Sequence, residues 1–294
     1  MAVILRVLDR GGNRPDCAPT FALSRLIPYN DAVRKYLTVF RVNWLNSLQY
    51  RAPTVIYILG YTLYIAVLLF LWTAIYREGG QVGTYELSEM VTYYLLMFVI
   101  NTVVISYVSW EIIDHIREGF FSHFLVKPVN YFTYWLTVNA SGKLFEAVVI
   151  AFVVGGFWLV VGPIVRFPED PMTYLGFAVA LALAVVLAFE LEFCIGMIAF
   201  WLVQVRVFKY MLQYAVFFFA GTLLPLDVFP NALSSIAAVL PFQYLVFVPI
   251  QIFLEKRPDV WLDFATAAAW IVAFYALARW SLARGIARYE AVGN

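Results

Sequence analysis

The sequence is poor in charge. Only 13% of its 294 residues are Asp, Glu, Lys or Arg, whereas a soluble domain carries about 25%. The formal net charge is +1 and no basic stripe is present, which excludes a nucleic-acid-binding surface. Apolar residues make up 63% of the chain, against roughly 45–50% in a soluble domain. The composition therefore predicts an integral membrane protein.

Residues that carry metal or redox chemistry are also scarce. The two cysteines, Cys17 and Cys194, do not have the spacing of a metal or redox motif. The two histidines, His115 and His123, are too few for a His-based metal site. Gly11-Gly12 and Gly79-Gly80 lack the G-x-x-x-x-G-K-S/T spacing of a phosphate-binding loop. The sequence therefore predicts no cofactor or metal on this chain.

Long apolar runs are what the sequence has instead. A helix that crosses a bilayer needs about 20 mostly apolar residues, and six runs meet this requirement. They cover residues 53–76, 91–110, 144–161, 172–203, 207–226 and 260–282. The fourth is longer than a straight crossing requires, which predicts a helix that is tilted or that projects beyond the bilayer. The predicted fold is all-α, with six transmembrane helices.

Basic residues are divided unequally between the two sets of loops. With the N-terminus inside, and counting from Arg25 onwards, thirteen Lys and Arg residues lie on the cytoplasmic side and four on the outer side. Loops rich in Lys and Arg remain in the cytoplasm. The sequence therefore predicts that both termini are cytoplasmic, which agrees with an even number of spans.

An amphipathic segment precedes the first span. Over residues 29–50, apolar residues such as Tyr36, Phe40 and Trp44 recur at three- and four-residue steps between basic side chains. This pattern is typical of a helix at a membrane interface, and a simple anchor explains it as well as a functional contact does. Residues 1–25 are predicted to form a mobile tail, and residues 26–294 a single transmembrane domain.

Prolines break the apolar stretch before the last span. Pro225, Pro230, Pro241 and Pro249 divide it into pieces that are too short to cross a bilayer, which predicts a re-entrant helical hairpin over residues 228–253. Broken backbone at membrane depth is tolerated only where it is buried in protein or lines a cavity. We therefore expect this stretch to face the protein interior or a partner subunit.

A short loop between the second and third spans has an unusual composition. We refer to residues 116–129 as the coupling segment. It has charged residues at both ends and Phe120, Phe121, Phe124 and Leu125 between them. A connection between two spans does not need such a pattern, which is typical of a surface that presses against another protein. An ordinary loop resting on the lipid surface is the alternative.

Three of these features together resemble the membrane subunit of an ABC-2 type exporter. The first is the amphipathic helix ahead of the first span. The second is residues 117–128, which are similar to the coupling helix of that family, here predicted over residues 116–128. The third is residues 221–230 followed by Leu240-Pro241-Phe242, which is similar to the fifth span and re-entrant hairpin of these permeases. The likeness covers about residues 26–290.

The resemblance implies a permease in the bacterial inner membrane that is itself not an enzyme. Two cytoplasmic ATPase subunits would bind ATP and Mg, and a second six-span permease, expected to be a relative rather than a copy, would complete the pathway. In the coupling helix, four apolar side chains would form the buried anchor of the ATPase contact, at about 2 kcal/mol or more for each hot spot. The residues expected at this contact are Arg117, Glu118, Gly119, Phe120, Phe121, Phe124, Leu125, Lys127 and Pro128. In this interpretation Gly119 permits a tight turn, and Pro128 ends the helix.

Two carboxylates lie deep in the fourth apolar run. A charge at mid-bilayer costs about 2.5–3.5 kcal/mol on insertion scales, so such residues usually face the bundle interior or water. Glu190 and Glu192 are two residues apart on a helix and therefore point to nearly opposite sides. One is expected to face the pathway and the other a neighbouring helix or subunit, and a structural role is the alternative. With Pro225, Asp227 and Pro241, they are the candidate pathway or gate residues.

Two further side chains have predicted local roles. Asp227 is interpreted as the cap of the short helix that follows it, with a role in shaping an exit as the alternative. Glu146 lies three residues after Lys143, so a local ion pair is expected.

Two other functions are compatible with the sequence. An intramembrane enzyme would use Glu190, Glu192 or His115 as an acid or base, although no carboxylate pair shares a helix face and no cluster has metal-ligand spacing. An ATP-independent carrier would couple the titration of Glu190 to transport.

Overall fold

The structure, a computed structural model, describes residues 29–80, 82–202, 204–257 and 259–289. These residues form helices and contain no β-strand. Their α-helices are α1 (Tyr29–Gln49), α2 (Arg51–Arg77), α3 (Leu87–Val103), α4 (Val108–Arg117), α5 (Ser122–Leu125), α6 (Tyr131–Val161), α7 (Pro171–Met197), α8 (Val205–Phe219), α9 (Asn231–Val239), α10 (Phe247–Phe253) and α11 (Val260–Arg288). The predicted mobile tail, residues 1–25, lies outside the described residues.

The chain divides into two compact units, residues 1–38 and 39–294. Of the first unit, the structure describes residues 29–38, which form the first half of α1. The helix predicted over residues 29–50 is thus present, and its location at a membrane interface stays a prediction. Helices α2 to α11 all belong to the second unit.

Five helical stretches are long and apolar enough to cross a membrane. They are Arg51–Arg77, Leu87–Arg117, Tyr131–Leu159, Pro171–Phe200 and Val260–Arg288, and only the described residues were considered. Each overlaps one predicted span. The remaining predicted span, residues 207–226, corresponds to α8, which has 15 residues. At 1.5 Å per residue it covers roughly 22 Å, less than a hydrocarbon core of about 30 Å, so this span is not among the five.

The third span begins earlier than the sequence predicts. α6 starts at Tyr131, thirteen residues before the predicted start at residue 144. Asn130 begins the helix, because its side chain accepts the Thr133 backbone N–H at 3.0 Å. A count of apolar residues misses the start of this helix, because its first turns contain polar residues. Ser141 and Lys143 are nevertheless buried in the protein.

The second membrane-length stretch is broken in the middle. α3 ends at Val103 and α4 begins at Val108, and residues 104–107 between them are not helical. Glu86 and Glu89 start α3 with reciprocal side-chain bonds to each other's backbone N–H. At the far end, α4 leads directly into the coupling segment.

Within the part of the chain that the structure describes, buried apolar side chains form two clusters. The larger cluster joins α2, α3, α7 and α10, with Trp72, Tyr94 and Ile250 among its members. The smaller one, which we name the coupling-side cluster, contains Ile112, Phe121, Tyr131, Trp135, Phe193 and Met197. It joins α4, the start of α6 and the end of α7, and it therefore forms the base of the coupling segment.

The proline-rich stretch folds into short helices, as predicted. α9 has nine residues and α10 has seven, and a 3-10 turn that begins at Pro241 lies between them. Residues 241–254 are all buried, whereas most of α9 is exposed, so the second half of this broken backbone faces the protein interior and the first half does not. The re-entrant position of the stretch in a bilayer stays a prediction.

Candidate functional site

The coupling segment begins with a tight turn. α4 ends at Arg117, and Gly119 adopts φ 84°, a left-handed conformation that glycine reaches without steric cost. The Phe121 backbone N–H donates to the His115 carbonyl at 2.9 Å. The Ser122 hydroxyl donates to the Gly119 carbonyl at 2.7 Å. The predicted turn at Gly119 is thus confirmed.

The helix that follows is shorter than predicted. α5 has four residues, Ser122–Leu125, whereas the sequence predicts a coupling helix over residues 116–128. The turn at Gly119 assigns the first part of that range to α4, and α5 ends three residues before Pro128. The segment is therefore a turn with one short helix.

Phe121 points into the protein and not outwards. Its side chain is 1% exposed. Its ring packs edge-on against Tyr131 at 4.9 Å, Tyr289 at 5.0 Å and Phe200 at 5.1 Å between centroids. Phe124 is half-buried and packs on Tyr131 at 4.9 Å. Phe121 thus belongs to the coupling-side cluster, and the sequence could not separate it from the exposed anchor candidates.

The apolar residues that are exposed on the segment differ from those predicted to anchor the ATPase contact. Phe120 and Leu125 are 51% and 50% exposed, and Val126 is 84% exposed. Of these three residues, Val126 is not among the predicted contact residues. We name Phe120, Leu125 and Val126 the exposed patch.

Charged side chains surround the exposed patch. Arg117, Glu118 and Lys127 are exposed, as is Pro128. The Lys127 ammonium lies 5.9 Å from the centroid of the Phe124 ring, a favourable cation–π distance. The segment therefore has an apolar centre and a charged rim, the usual arrangement of a protein–protein contact.

Two ion pairs join α8 to the helices beside the coupling segment. Lys209, which is 1% exposed, pairs directly with Glu192 of α7. The Ser109 hydroxyl of α4 donates to the same carboxylate at 2.6 Å. Nearer the surface, Arg206 pairs with Asp114 at 2.5 Å. Glu192 thus meets neighbouring helices, as expected for one of the two carboxylates.

Glu190 has a different environment from Glu192. It is buried, and its Oε2 atom has no hydrogen-bond partner among the described residues. His115, the other acid–base candidate, packs against the Trp135 and Phe124 rings at 5.0 and 5.7 Å. The role of Glu190 in a pathway stays a prediction.

A second polar network lies at the opposite end of the α3–α4 stretch. Glu89 is buried and pairs with Arg166 at 2.6 Å and with Lys256 at 2.7 Å. The Lys256 ammonium also lies 4.0 Å above the centroid of the Tyr85 ring. These contacts join the start of α3 to the loops before α7 and α11.

Tyr85 extends this network to a predicted gate residue. Its hydroxyl donates to the Asp227 carboxylate, at 2.7 Å from Oδ2, and accepts from the Gln251 amide. Burial raises the pKa of Tyr85 well above its usual range, and the neighbouring Asp227 carboxylate raises it further. The hydroxyl therefore stays protonated and continues to donate.

The predicted capping role of Asp227 is wrong. Pro230 precedes α9, and no side chain caps that helix. Asp227 lies instead in a 3-10 turn, Leu226–Val228, where its carboxylate accepts from Tyr85. A partner 142 residues away in the sequence replaces the local bond that the sequence favoured.

An unusual backbone conformation positions Lys256. Glu255 has φ 58°, a left-handed conformation that is uncommon in a residue other than glycine. Its N–H donates to the Ile252 carbonyl, and the Lys256 N–H donates to the Gln251 carbonyl, both at 3.0 Å. This pair of bonds is the Schellman ending of a helix. The Glu255 carboxylate also accepts the Asp170 N–H at 3.2 Å, which ties the turn to the start of α7.

The comparison with known families agrees with these features. The family model of ABC-2 family transporter proteins matches residues 62–293, which is most of the chain. The chain belongs to the ABC-2 transporter family. It is thus a membrane permease component of an ABC transporter, and the family implies a partnership with ATPase subunits. No curated protein matches the chain.

At the Asp227 end, this ABC-2 permease contains a cavity of about 630 Å³. Its polar lining residues are Thr84, Asp227, Ser234, Gln243, Gln251, Lys256 and Arg257. Among the gate candidates, Asp227 lines this cavity, whereas Pro225 and Pro241 are buried beside the turns that they begin. The cavity therefore offers hydrogen-bond donors, hydrogen-bond acceptors and charges of both signs to a solute.

Sequence reasoning missed most of the residues in the two networks. Tyr85, Glu89, Arg166, Gln251 and Lys256 lie near span ends, where charged and polar residues are common. Lys209 carried a usable signal, because it is a charge within an apolar helix. Among the described residues, no group of three His, Cys, Asp or Glu side chains could hold a metal ion.

Proposed function

We propose that this chain is the permease subunit of an ATP-driven exporter in the bacterial cytoplasmic membrane. Two cytoplasmic ATPase subunits bind ATP and Mg²⁺, and this chain has no catalytic activity of its own. A second six-span permease, a relative rather than a copy, completes the translocation pathway. Closure of the ATPase pair is transmitted to the membrane through the coupling segment.

The exposed patch is the observation that carries this proposal. Phe120, Leu125 and Val126 lie together on a segment that is held from behind by the buried Phe121 ring. Apolar side chains on a rigid base lose little conformational freedom when they bind, so they suit a docking surface. The charged rim around them favours a protein partner over lipid tails.

Six crossings are supported by the positions of the helix ends. The start of α7 and the turn before α11 lie side by side, because Glu255 accepts the Asp170 N–H. The chain reaches the other end of the molecule along α7 and must return before Glu255. α8 makes this return, since the turn after it contacts α3 and α10 through the Tyr93–Gly221 and Phe247–Ala220 bonds at 2.5 and 3.0 Å.

The predicted orientation fits the same arrangement. With both termini in the cytoplasm, the coupling segment is cytoplasmic and the network around Glu89 faces outward. Residues 228–253 then form a re-entrant hairpin at the outer end, and the cavity beside Asp227 lies on the exit side of the pathway. Pro225, Asp227 and Pro241 belong to this outer gate, and Glu190 lies deeper along the route.

Co-purification tests the proposal. The tagged chain is expressed in its native host, extracted in mild detergent and examined by mass spectrometry for an ATPase subunit and a second permease. The test variant is the double substitution Phe120→Ala and Leu125→Ala. Phe152→Ala is the matched control, because that side chain is 79% exposed but lies on α6, away from the coupling segment.

An ATPase recovered with the wild type and with Phe152→Ala, but lost with the double variant, would support the proposal. At about 2 kcal/mol for each hot-spot residue, the double variant should lose most of the bound ATPase. Recovery of the chain alone across several detergents would contradict the proposal. In that case an ATP-independent carrier becomes the better hypothesis, and Glu190 would be the next residue to test.

A further inference from the structure

We propose that Lys143 is a positioning residue that fixes the break between α3 and α4 and thereby places the coupling segment on α7. The break, residues 104–107, interrupts a stretch that is otherwise long enough to cross the membrane as one helix. The importance of this placement for transport rests on the proposed function. The placement itself is a property of this chain alone.

The local sequence explains the break only in part, through the Ser106 hydroxyl, which accepts the Val108 N–H at 3.4 Å. Sharp interruptions of helices usually occur at Pro, at Gly or Ser pairs, at π-bulges, or where a side chain inserts into the backbone hydrogen bonds. Residues 102–109 contain neither Pro nor Gly, and four of the eight are Val or Ile. Such residues lower helix propensity only slightly. A further cause must therefore come from a neighbouring part of the structure.

Lys143 of α6 supplies that cause. Its ammonium group is buried and donates to the Thr102 carbonyl at 3.0 Å and to the Ile105 carbonyl. A third bond, at 2.6 Å, goes to the Glu146 carboxylate, which confirms the predicted local pair. An ammonium has three N–H donors, so all of them are used. Two carbonyls at the end of α3 are thus satisfied by a side chain.

Asn139 supports the break from the same face of α6. The Ser106 hydroxyl donates to the Asn139 side-chain oxygen at 2.7 Å. Asn139, Lys143 and Glu146 are spaced four and three residues apart, so they lie along one side of the helix. The positive charge of Lys143 also lies at the C-terminus of α3, where the helix dipole favours a cation.

The break allows α4 to pack closely against α7. A Cβ atom on Gly196 of α7 would lie 2.6 Å from the Ile112 side chain of α4, so the two helices touch at this glycine. The Ser109–Glu192 bond fixes the same contact. From there α4 leads to Phe121, which packs on Phe200 just beyond α7. Straightening the α3–α4 stretch would move these residues from their places.

Distance measurements between two spin labels test the inference. The full chain, with Cys17→Ala and Cys194→Ala, is reconstituted in lipid nanodiscs. Labels are attached at Val126→Cys in the coupling segment and at Trp261→Cys near the start of α11, two positions that are 84% and 79% exposed. Lys143→Met removes the three donors at similar volume. Lys143→Arg keeps the donors and the charge, and Arg77→Met is the control at an exposed basic residue outside the coupling segment.

We expect Lys143→Met to shift or broaden the distance distribution, while Lys143→Arg and Arg77→Met retain the wild-type distribution. A wild-type distribution in Lys143→Met would overturn the inference. If Lys143→Met is not recovered as folded protein, Asn139→Ala provides the test. It removes one support of the break, so it should produce a smaller shift, and an unchanged distribution in Asn139→Ala would also overturn the inference.

The outcome can be separated from the proposed function. The spin-label distances need no ATPase, whereas the co-purification of an ATPase with the wild type needs no change at Lys143. A shift in Lys143→Met with no ATPase on the wild-type chain would uphold the positioning role and contradict the exporter proposal. An ATPase on the wild type with no shift in Lys143→Met would have the reverse meaning.

Discussion

Tyr85 joins several parts of the polar network around Glu89. Its hydroxyl donates to Asp227 and accepts from Gln251, its ring lies under Lys256, and its carbonyl accepts from Tyr76 at 2.7 Å. The Tyr85 side chain is buried, and these contacts hold four chain segments together.

We expect Tyr85→Phe to destabilise the protein by about 1 to 2 kcal/mol, because it removes a hydrogen bond to a carboxylate that is itself exposed. Tyr174→Phe is the control, since its hydroxyl makes a longer, uncharged bond to Pro168 at 3.3 Å, and it should change stability less. Thermal unfolding in detergent measures both.

The folded-state pKa of Tyr85 is raised above the usual value of about 10. The contribution should therefore be constant from about pH 6 to 8 and decline only as the pH rises above about 10. Equal losses in both variants would contradict this role.

At the residue scale, the sequence predicted which segment is unusual but not which way its side chains point. Phe120 and Phe121 are adjacent and identical, yet one is exposed and the other is buried. The difference arises from the left-handed Gly119 and from Tyr131, Phe200 and Tyr289, which are distant in the sequence. The local pair of Lys143 and Glu146 was predictable because both partners lie on one helix, whereas the partner of Asp227 was not.

Among the helices, α8 is held by two acid–base pairs of opposite character. Lys209 and Glu192 are buried, whereas Arg206 and Asp114 are at the surface. A buried ion pair becomes costly when one partner is lost, because the other charge remains in a poorly solvating environment. A surface pair contributes little, because water and salt screen it.

Lys209→Met should therefore destabilise the protein strongly, by about 3 to 5 kcal/mol. Adding Glu192→Leu to it should recover much of the loss, since no unpaired buried charge then remains. Arg206→Met, three residues away on the same helix, should have little effect. Apparent melting temperatures in detergent compare the three variants. If Lys209→Met and Arg206→Met were equally mild, the buried pair would not be what holds α8.

At the element scale, apolar run length predicted the existence of the long helices better than their limits. The run that contains the first span nearly coincides with α2, because most exposed residues on that helix are apolar. Apolar run length did not predict the limits of α6, whose polar first turns pack inside the protein. It also did not predict the end of α8, which lies before the turn at Gly221, where φ is 82°. The break after α3 was invisible, since its cause is a lysine 41 residues further along the chain from Thr102.

At the scale of the whole molecule, the polar network around Glu89 and the exposed patch lie at opposite ends of one helical bundle. Glu89, Arg166 and Lys256 lie at one end, and the exposed patch lies at the other. An unbroken helical stretch of 29 residues, Tyr131–Leu159, joins these ends. At 1.5 Å per residue it reaches about 44 Å, which exceeds a hydrocarbon core of about 30 Å. The surplus length can carry the coupling-side cluster beyond the bilayer.

The orientation of this bundle gives a prediction for the intact cell. Single cysteines are introduced at Glu169 and at Val126, both exposed, in a chain with Cys17→Ala and Cys194→Ala. Because Lys and Arg are concentrated on the coupling-segment side, a membrane-impermeant maleimide should label Glu169→Cys on intact spheroplasts. It should label Val126→Cys only after lysis.

A third cysteine at Leu223, in the exposed turn after α8, tests the sixth crossing in the same experiment. If α8 crosses the membrane, Leu223→Cys behaves like Glu169→Cys and is labelled on intact spheroplasts. If α8 does not cross, Leu223 remains on the side of Val126, and its labelling requires lysis. The contacts of Gly221 with Tyr93 and of Glu255 with Asp170 place this turn at the Glu89 end of the bundle, so labelling before lysis is the expected result. Protection of Leu223→Cys with labelling of Glu169→Cys would contradict the six-span topology.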